Sequence, residues 1–254
     1  MKLAVTPYCQ LIEPMQVYHS KTTREDKPAP EIRWIVGENI RIIGFDEFKY
    51  QIRLTIVRLD GESCAVSDER TSEFFTEVPA TTDLKPVVND TEVHIDTESL
   101  QSHLIVNSGD LQYKIEKIPG SEPLDFRQQY LPISQPIAEG SIPAKKLYQY
   151  VKMAPSENLQ VKISDQAVEF ISESSFDELR WGSTEASTVH IKNTERTYLF
   201  DVNLLYDTVK RIPDNKMLQF FVTEESIKFR YELGNIGYVN YYQRTKSSSD
   251  TFVI

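Results

Sequence analysis

The chain contains the stretch RWIVGENIRIIGFDEF (Arg33–Phe48) and, further on, a near copy of it, QVKISDQAVEFISESSFDEL (Gln160–Leu179). Each copy reads as a strand, a tight polar turn, a second strand and an acidic Phe-Asp-Glu loop. A second pair of similar segments, Lys85–Val106 and Lys210–Leu233, recurs at an offset of about 125 residues, roughly half of the chain. A repeat of this period is typical of a duplicated structural unit. The sequence therefore predicts two tandem copies of one α+β module.

Alternation of apolar and polar residues, rich in β-branched and aromatic side chains, runs through both halves and predicts strands joined by short polar turns. In the first half the predicted strands are Glu31–Val36, Asn39–Ile43, Gln51–Leu59, Thr91–Asp96, Ser102–Asn107 and Leu111–Ile118. In the second half they are Gln160–Ser164, Val168–Glu173, Glu178–Ser183, Thr188–Lys192, Gln219–Thr223, Ser226–Leu233 and Gly237–Arg244. Each half is therefore expected to be an antiparallel meander with few helices.

One segment of the second half, Ala144–Met153, has helical periodicity instead. It places Leu147, Tyr150 and Val151 on one face, as expected of a helix that covers a core. The other faces carry Lys145, Lys146, Gln149 and Lys152.

A second helix is predicted at Asp201–Ile212, with Asp201 as its N-cap and Pro213 as its stop signal. The first half offers weaker counterparts at Pro7–Ser20 and Ala80–Val88. Because each of these contains an internal proline, only a turn or two of helix is expected there.

The segment Pro119–Pro143 separates the two halves. It holds five prolines and two glycines without hydrophobic periodicity, which is typical of a long extended connector. The predicted organisation is therefore a first domain at residues 1–118, a connector at 119–143, a second domain at 144–245 and a C-terminal tail at 246–254.

Composition favours a globular intracellular protein. The chain has 254 residues, 40% hydrophobic content and only 9 glycines, enough apolar material for two ordinary cores. Its apolar runs are far shorter than the roughly 18 residues that a membrane span requires, and its first residues lack the apolar core of a signal peptide. The two cysteines, Cys9 and Cys64, are too few for a disulfide framework. We therefore expect a reducing compartment and no membrane association.

Several local motifs, in their order and spacing, resemble the PCNA-type DNA sliding clamp (the proliferating cell nuclear antigen family). The best local match is Glu232–Arg244, ELGNIGYVNYYQR, which is similar to the family's C-terminal strand with its aliphatic-Gly-x-apolar-x-Tyr-Tyr ending. Asn203–Pro213 matches the end of the family's last inner helix, and Thr188–Lys192 lies where the family has an edge strand. The resemblance covers nearly the whole chain, and a divergent archaeal or viral member of the family fits it.

The resemblance implies a ring of two-domain subunits, usually three, with antiparallel sheets outside and two short helices per module lining a central hole. The resemblance also accounts for the net charge of −10. A negative average charge disfavours nucleic acid, but DNA contact needs only a local basic stripe. The residues that the resemblance assigns to the DNA-facing surface are Lys145, Lys146, Lys152, Lys210, Arg211 and Lys216, with Lys85, Lys21 and Arg24 as weaker candidates. Solvated helix faces are the other interpretation of these cations.

The resemblance further implies a pocket that receives short hydrophobic or aromatic docking motifs of client proteins such as DNA polymerase, the clamp loader and repair enzymes. By position its lining consists of Phe45, Tyr50, Ile52, Leu131, Ile133 and Tyr242. For Phe45, Ile52 and Tyr242, ordinary core packing is the competing interpretation.

Ring closure requires edge strands that pair head to tail between subunits. The positional candidates are Leu111, Tyr113 and Ile115 from the first domain and Thr188, His190 and Lys192 from the second. The expected assembly is a homotrimer. A subunit of a heteromeric or checkpoint clamp and a monomeric viral processivity factor are the alternatives of the same fold.

Enzymatic motifs are absent from the sequence: there is no HExxH, CxxC, GxSxG, P-loop or GxGxxG, and the four histidines are scattered. The recurring Asp46-Glu47 and Asp177-Glu178 pairs are explained by the repeat. Trp34 and Trp181 are interpreted as packing residues. We therefore expect no catalytic residues, no metal and no cofactor; a β-rich enzyme or ligand-binding protein without a DNA role is the rival from another class.

Overall fold

The computed structural model describes residues 2–5, 14–15, 31–36, 40–48, 51–59, 72–77, 93–96, 102–108, 110–118, 135–164, 167–183, 196–234 and 237–246. These residues form sixteen strands and two α-helices. The strand pairs assigned among them are antiparallel. The predicted α+β class, dominated by antiparallel strands, is confirmed.

The chain divides into two compact units. The first consists of Met1–Asp46, Leu54–Asp125 and Glu232–Val239, and the second of Glu47–Arg53, Phe126–Tyr231 and Asn240–Ile254.

The first half of the chain contributes eight strands: β1 (Lys2–Val5), β2 (Glu31–Val36), β3 (Ile40–Phe48), β4 (Gln51–Leu59), β5 (Ser72–Glu77), β6 (Val93–Asp96), β7 (His103–Ser108) and β8 (Leu111–Ile118). Their hydrogen-bonded order is β1-β6-β7-β8-β5-β2-β3-β4. Trp34 of β2 is buried, donates its indole N–H to Thr76 Oγ1 at 3.0 Å and stacks on Phe74 at 5.9 Å. Its interpretation as a packing residue is confirmed, whereas the Trp181 side chain lies outside the described residues.

The second half contributes β9 (Ala138–Pro143), α1 (Ala144–Met153), β10 (Asn158–Ile163), β11 (Val168–Glu173), β12 (Glu178–Ser183), β13 (Arg196–Asp201), α2 (Val202–Val209), β14 (Met217–Val222), β15 (Ser226–Glu232) and β16 (Gly237–Arg244). The strand orders are β16-β15-β14-β9 and β12-β11-β10-β13. Phe170 of β11 and Phe220 of β14 are fully buried and meet edge to face at 5.5 Å, so they join these two groups of strands in one core.

The predicted helices of the second half are confirmed, with one difference in length. The helix α1 has the predicted bounds, and Asp201 caps α2 as predicted. However, α2 ends at Val209 rather than at Ile212, because the chain tightens into three-residue turns: Arg211 N donates to Thr208 O at 3.2 Å and Ile212 N to Val209 O at 3.0 Å. The first-half helix candidates lie outside the described residues except for a short turn at 14–15.

Four strands were not predicted: β1, β5, β9 and β13. The strand β9 occupies the last six residues of the expected connector and pairs with β14 from Met217↔Pro143 to Val222↔Ala138. The predicted strand Thr188–Lys192 lies outside the described residues, and β13, which follows it, pairs with β10.

Candidate nucleic-acid interface

The helix α1 is fixed on its sheet by one apolar face and one hydrogen-bonded tyrosine. Leu147 and Val151 are buried. The buried Tyr150 hydroxyl lies within hydrogen-bond distance of the carbonyl oxygens of Phe170 and Leu179, the latter at 2.7 Å. Because these contacts define which side of α1 faces inward, its three lysines, Lys145, Lys146 and Lys152, are exposed.

The helix α2 is held by its cap and its own apolar face. Asp201 Oδ1 accepts hydrogen bonds from the backbone N–H groups of Asn203 at 2.8 Å and Leu204 at 3.1 Å. The buried side chains are Val202, Leu204, Leu205, Thr208 and Val209. As a result Lys210, just after the last helical residue, is exposed, and Arg211 is half-buried.

The two helices meet through a pair of tyrosines. The rings of Tyr148 on α1 and Tyr206 on α2 stack at 5.7 Å with an interplanar angle of 24°. Lys152 Nζ lies 5.9 Å from the Tyr148 centroid and Lys210 Nζ lies 5.4 Å from the Tyr206 centroid. The side chains of the two helices therefore form one surface in which cations and aromatic rings alternate, called below the two-helix surface.

The turn after α2 brings further cations to the start of α1. The backbone N–H of Ala144 donates to the carbonyl of Lys216 at 2.9 Å, which places Lys216 beside the first turn of α1. Its Nζ lies 5.9 Å from the centroid of Tyr231. The Arg211 Nε is buried, and no acceptor within the described ranges bonds to it.

The cations of the two-helix surface differ in their acidic neighbours. Lys210 Nζ lies 2.8 Å from Asp207 Oδ1, and both side chains are about 30% exposed. In contrast, no carboxylate of the described residues forms an ion pair with Lys145, Lys146 or Lys152. The α1 lysines can therefore bind an external anion without first breaking an ion pair with a described carboxylate.

The other predicted site residues are only partly described. Lys85, Lys21 and Arg24 lie outside the described residues, as do Tyr50, Leu131, Ile133, Thr188, His190 and Lys192. Phe45 belongs to β3, Ile52 to β4 and Leu111 to β8, without a description of their side chains.

Among the predicted client-pocket and subunit-interface residues, three have described side chains. Tyr242 of β16 and Tyr113 of β8 are half-buried. Ile115 of β8 is only 8% exposed and faces the core of its own unit. In the described part of the sheet, β8 pairs with β5 at Lys117 and Ile118. Of the six predicted client-pocket residues, Tyr242 is the one with a side chain in the described part of the chain.

The sequence prediction missed the tyrosine pair. Tyr148 and Tyr206 were not singled out, although a signal exists: each stands four residues before a lysine, Lys152 and Lys210 respectively. On a helix this spacing places the two side chains on the same face.

Two negative results bear on the chemistry. Within the described residues, no three His, Cys, Asp or Glu side chains form a group that could hold a metal ion. None of the helices formed by these residues is long and apolar enough to cross a membrane.

Comparison with known proteins gives similarity at the level of structure. No family model and no curated protein sequence matches the chain. A solved structure of the C-terminal region of FEN-1 bound to A. fulgidus PCNA aligns with a TM-score of 0.74 and 16% identity over 97% of this chain and 98% of that one. PCNA from Thermococcus kodakaraensis aligns with a TM-score of 0.73 and 15% identity over 97% of this chain and 100% of that one. The chain therefore has the fold of a PCNA-type sliding clamp.

Proposed function

We propose that the chain is a DNA sliding clamp, which encircles duplex DNA and tethers DNA polymerase and other replication and repair proteins to it. The observation that carries the proposal is the concentration of cations on α1 and after α2 in a chain of net charge −10 with a PCNA-type fold. In this role the chain carries no catalytic chemistry of its own and acts inside the cell, where DNA is replicated.

The proposed DNA contact is electrostatic. Lys145, Lys146 and Lys152 are exposed and form no ion pair with a carboxylate of the described residues. Their ammonium groups therefore break no such ion pair when they bind phosphate. Such contacts carry no sequence information. Lysine ammonium groups on flexible stems can exchange one phosphate for the next, which is what sliding requires.

The proposed client contact uses the residues around Tyr242. One structural neighbour holds the C-terminal region of FEN-1 bound to its PCNA. By analogy we infer that Phe45, Tyr50, Ile52, Leu131, Ile133 and Tyr242 receive the apolar side chains of client motifs. The half-buried Tyr242 supports this, because a partly exposed aromatic ring can still lose surface to a ligand.

The proposed assembly is a homotrimeric ring of chains divided at residues 118 and 143, joined through β8 and the segment 188–192. Since Ile115 is buried in its own unit, its contribution to such a contact is the backbone of β8. A heteromeric or checkpoint clamp subunit is the alternative; light scattering at micromolar concentration tests it, and a monomer contradicts the homotrimer.

Charge reversal tests the DNA contact. We expect Lys145→Glu with Lys146→Glu to abolish the stimulation of a clamp-dependent polymerase on a long primed template. The matched control is Arg180→Glu with Arg196→Glu, two exposed cations of the same unit that lie on β12 and β13. Equal stimulation by both double variants would contradict the assigned surface. Absence of rings in electron micrographs together with no stimulation by the unmodified chain would contradict the clamp itself.

A further inference from the structure

The two helices of the second unit carry the same small motif. Tyr148 and Lys152 on α1 are four residues apart, as are Tyr206 on α2 and Lys210 at its C-terminal end. The two tyrosine rings stack on each other, and each lysine lies within 6 Å of the ring of its own helix. These four side chains are called below the Tyr–Lys quartet.

Core packing does not account for this pair. Tyr150, Tyr231 and Tyr241 are at most 8% exposed, whereas Tyr148 and Tyr206 are only half-buried. The other buried positions of α1 and α2 are aliphatic except for Thr208. The pair is therefore an aromatic feature of the outer side of the helices, among exposed lysines.

The two stacked rings carry two hydroxyl groups, and at least one O–H can donate to an external acceptor. A hydrogen bond with Tyr206 raises the pKa of Tyr148 above 10.0, with smaller contributions from burial and from nearby groups. The Tyr148 hydroxyl therefore stays protonated near neutral pH. Among the described residues neither hydroxyl bonds to a third group, so an O–H is available for a phosphate oxygen.

We propose that the Tyr–Lys quartet is a phosphate-binding site for the backbone of duplex DNA, in which a tyrosine hydroxyl donates to a phosphate oxygen and Lys152 supplies the charge, since Lys210 is paired with Asp207. The inference rests on the proposed DNA contact and adds residues of a different kind to it. Tyrosine hydroxyls are common donors to DNA phosphates. The two rings stack on each other and carry the lysines near them, so the donors are ordered before DNA arrives.

An uncharged donor has a distinct signature in salt titrations. The slope of log affinity against log salt counts phosphates that are neutralised by cations, at about 0.9 per phosphate. A neutral hydroxyl adds affinity without adding to that slope. The contribution of the quartet to DNA affinity should therefore consist of a lysine part that depends on salt and a tyrosine part that does not.

The test is the affinity of the full-length chain for a fluorescent duplex at several salt concentrations. Tyr148→Phe with Tyr206→Phe keeps both rings and removes both hydroxyls; we expect affinity to fall about three- to tenfold with an unchanged slope. Lys152→Gln should make the slope shallower by about 0.9. The control is Tyr150→Phe, which removes a hydroxyl of the same helix that bonds inside the chain, and should lower Tm without changing DNA affinity.

The outcomes separate this inference from the proposed function. If the double Phe variant binds DNA with unchanged affinity while the Lys145→Glu, Lys146→Glu variant binds it more weakly, the quartet is not a phosphate site. The proposed clamp function is then unaffected. A loss of affinity that is matched by a drop in Tm like that of Tyr150→Phe also overturns it, since the hydroxyls would then act through folding. If neither charge reversal nor hydroxyl removal changes the affinity for duplex DNA, the proposed function itself is wrong.

Discussion

Removal of one carboxylate should strengthen the DNA contact. Asp207 neutralises Lys210 across one helical turn, with Nζ and Oδ1 2.8 Å apart. Asp207→Asn keeps the shape of the side chain and removes its charge. Because both partners are about 30% exposed, an i,i+3 pair of this kind contributes only ~0.3–0.5 kcal/mol to folding. The variant should therefore fold like the unmodified chain, with Lys210 released for phosphate.

The size of the effect follows from counterion release. One additional phosphate contact makes the slope of log affinity against log salt more negative by about 0.9. Between 50 and 200 mM salt, a slope change of that size corresponds to an additional fall of about 3.5-fold in affinity. At the low-salt end Asp207→Asn should therefore bind duplex DNA several times more tightly than the unmodified chain, and at the high-salt end the two should converge.

Fluorescence anisotropy of a labelled duplex across this salt range measures both quantities. The control is Asp177→Asn, which makes the same change in net charge at the exposed turn between β11 and β12. If the control strengthens binding as much as Asp207→Asn does, overall charge is responsible rather than Lys210. If Asp207→Asn leaves the slope unchanged, Lys210 does not contact phosphate, and the two-helix surface as described is wrong.

Three further predictions concern stability. Asp201→Ala removes the cap of α2 and an ion pair with Lys246 at 3.3 Å, so it should lower the free energy of unfolding by ~1 kcal/mol or more and Tm by a few degrees. Asp201→Asn keeps a capping acceptor and should lower Tm less than half as much. Equal losses would mean that the charge matters and the cap does not. Burial, and then Arg230, lowers the pKa of Lys228, so its charged form is disfavoured on folding. Lys228→Met should therefore raise Tm at pH 7. This gain should shrink as pH rises towards 10.5, the ordinary pKa of lysine, because Lys228 of the folded chain loses its proton below that value. Phe220→Ala should lower the urea-derived free energy of unfolding by ~3–5 kcal/mol and Phe220→Leu by clearly less; similar losses for both would place Phe220 outside the core.

Strict alternation made much of the fold predictable. The strands β2, β4, β8, β11, β12 and β16 have the bounds that alternation and polar turns indicate. Alternation failed for β9, AEGSIP, whose Gly140 and Pro143 weigh against a strand. This strand forms because six residues of β14 lie beside it, and pairing with a distant segment is not visible in local sequence.

The same distinction applies to the candidate site. Helical periodicity identified the exposed lysines of α1, since the buried positions of a helix define its outer ones. The tyrosine pair depends on the contact between α1 and α2, which are separated by β10 to β13 in the chain. The four-residue spacing from tyrosine to lysine is visible in each helix, but it gains its meaning only once the two helices lie side by side.

The net charge of −10 is compatible with DNA contact because charge acts locally in physiological salt. The helix α1 contains three lysines and no acidic residue, and residues 202–216 contain three cations and two acids. At about 0.15 M ionic strength the Debye length is about 8 Å, so a phosphate beside α1 is attracted by these cations while acids farther than that are screened. The remaining acidic residues still oppose tight electrostatic binding by the chain as a whole. A clamp that is retained on DNA by topology needs contacts that are easily broken, and a few local cations on an acidic protein provide contacts of that strength.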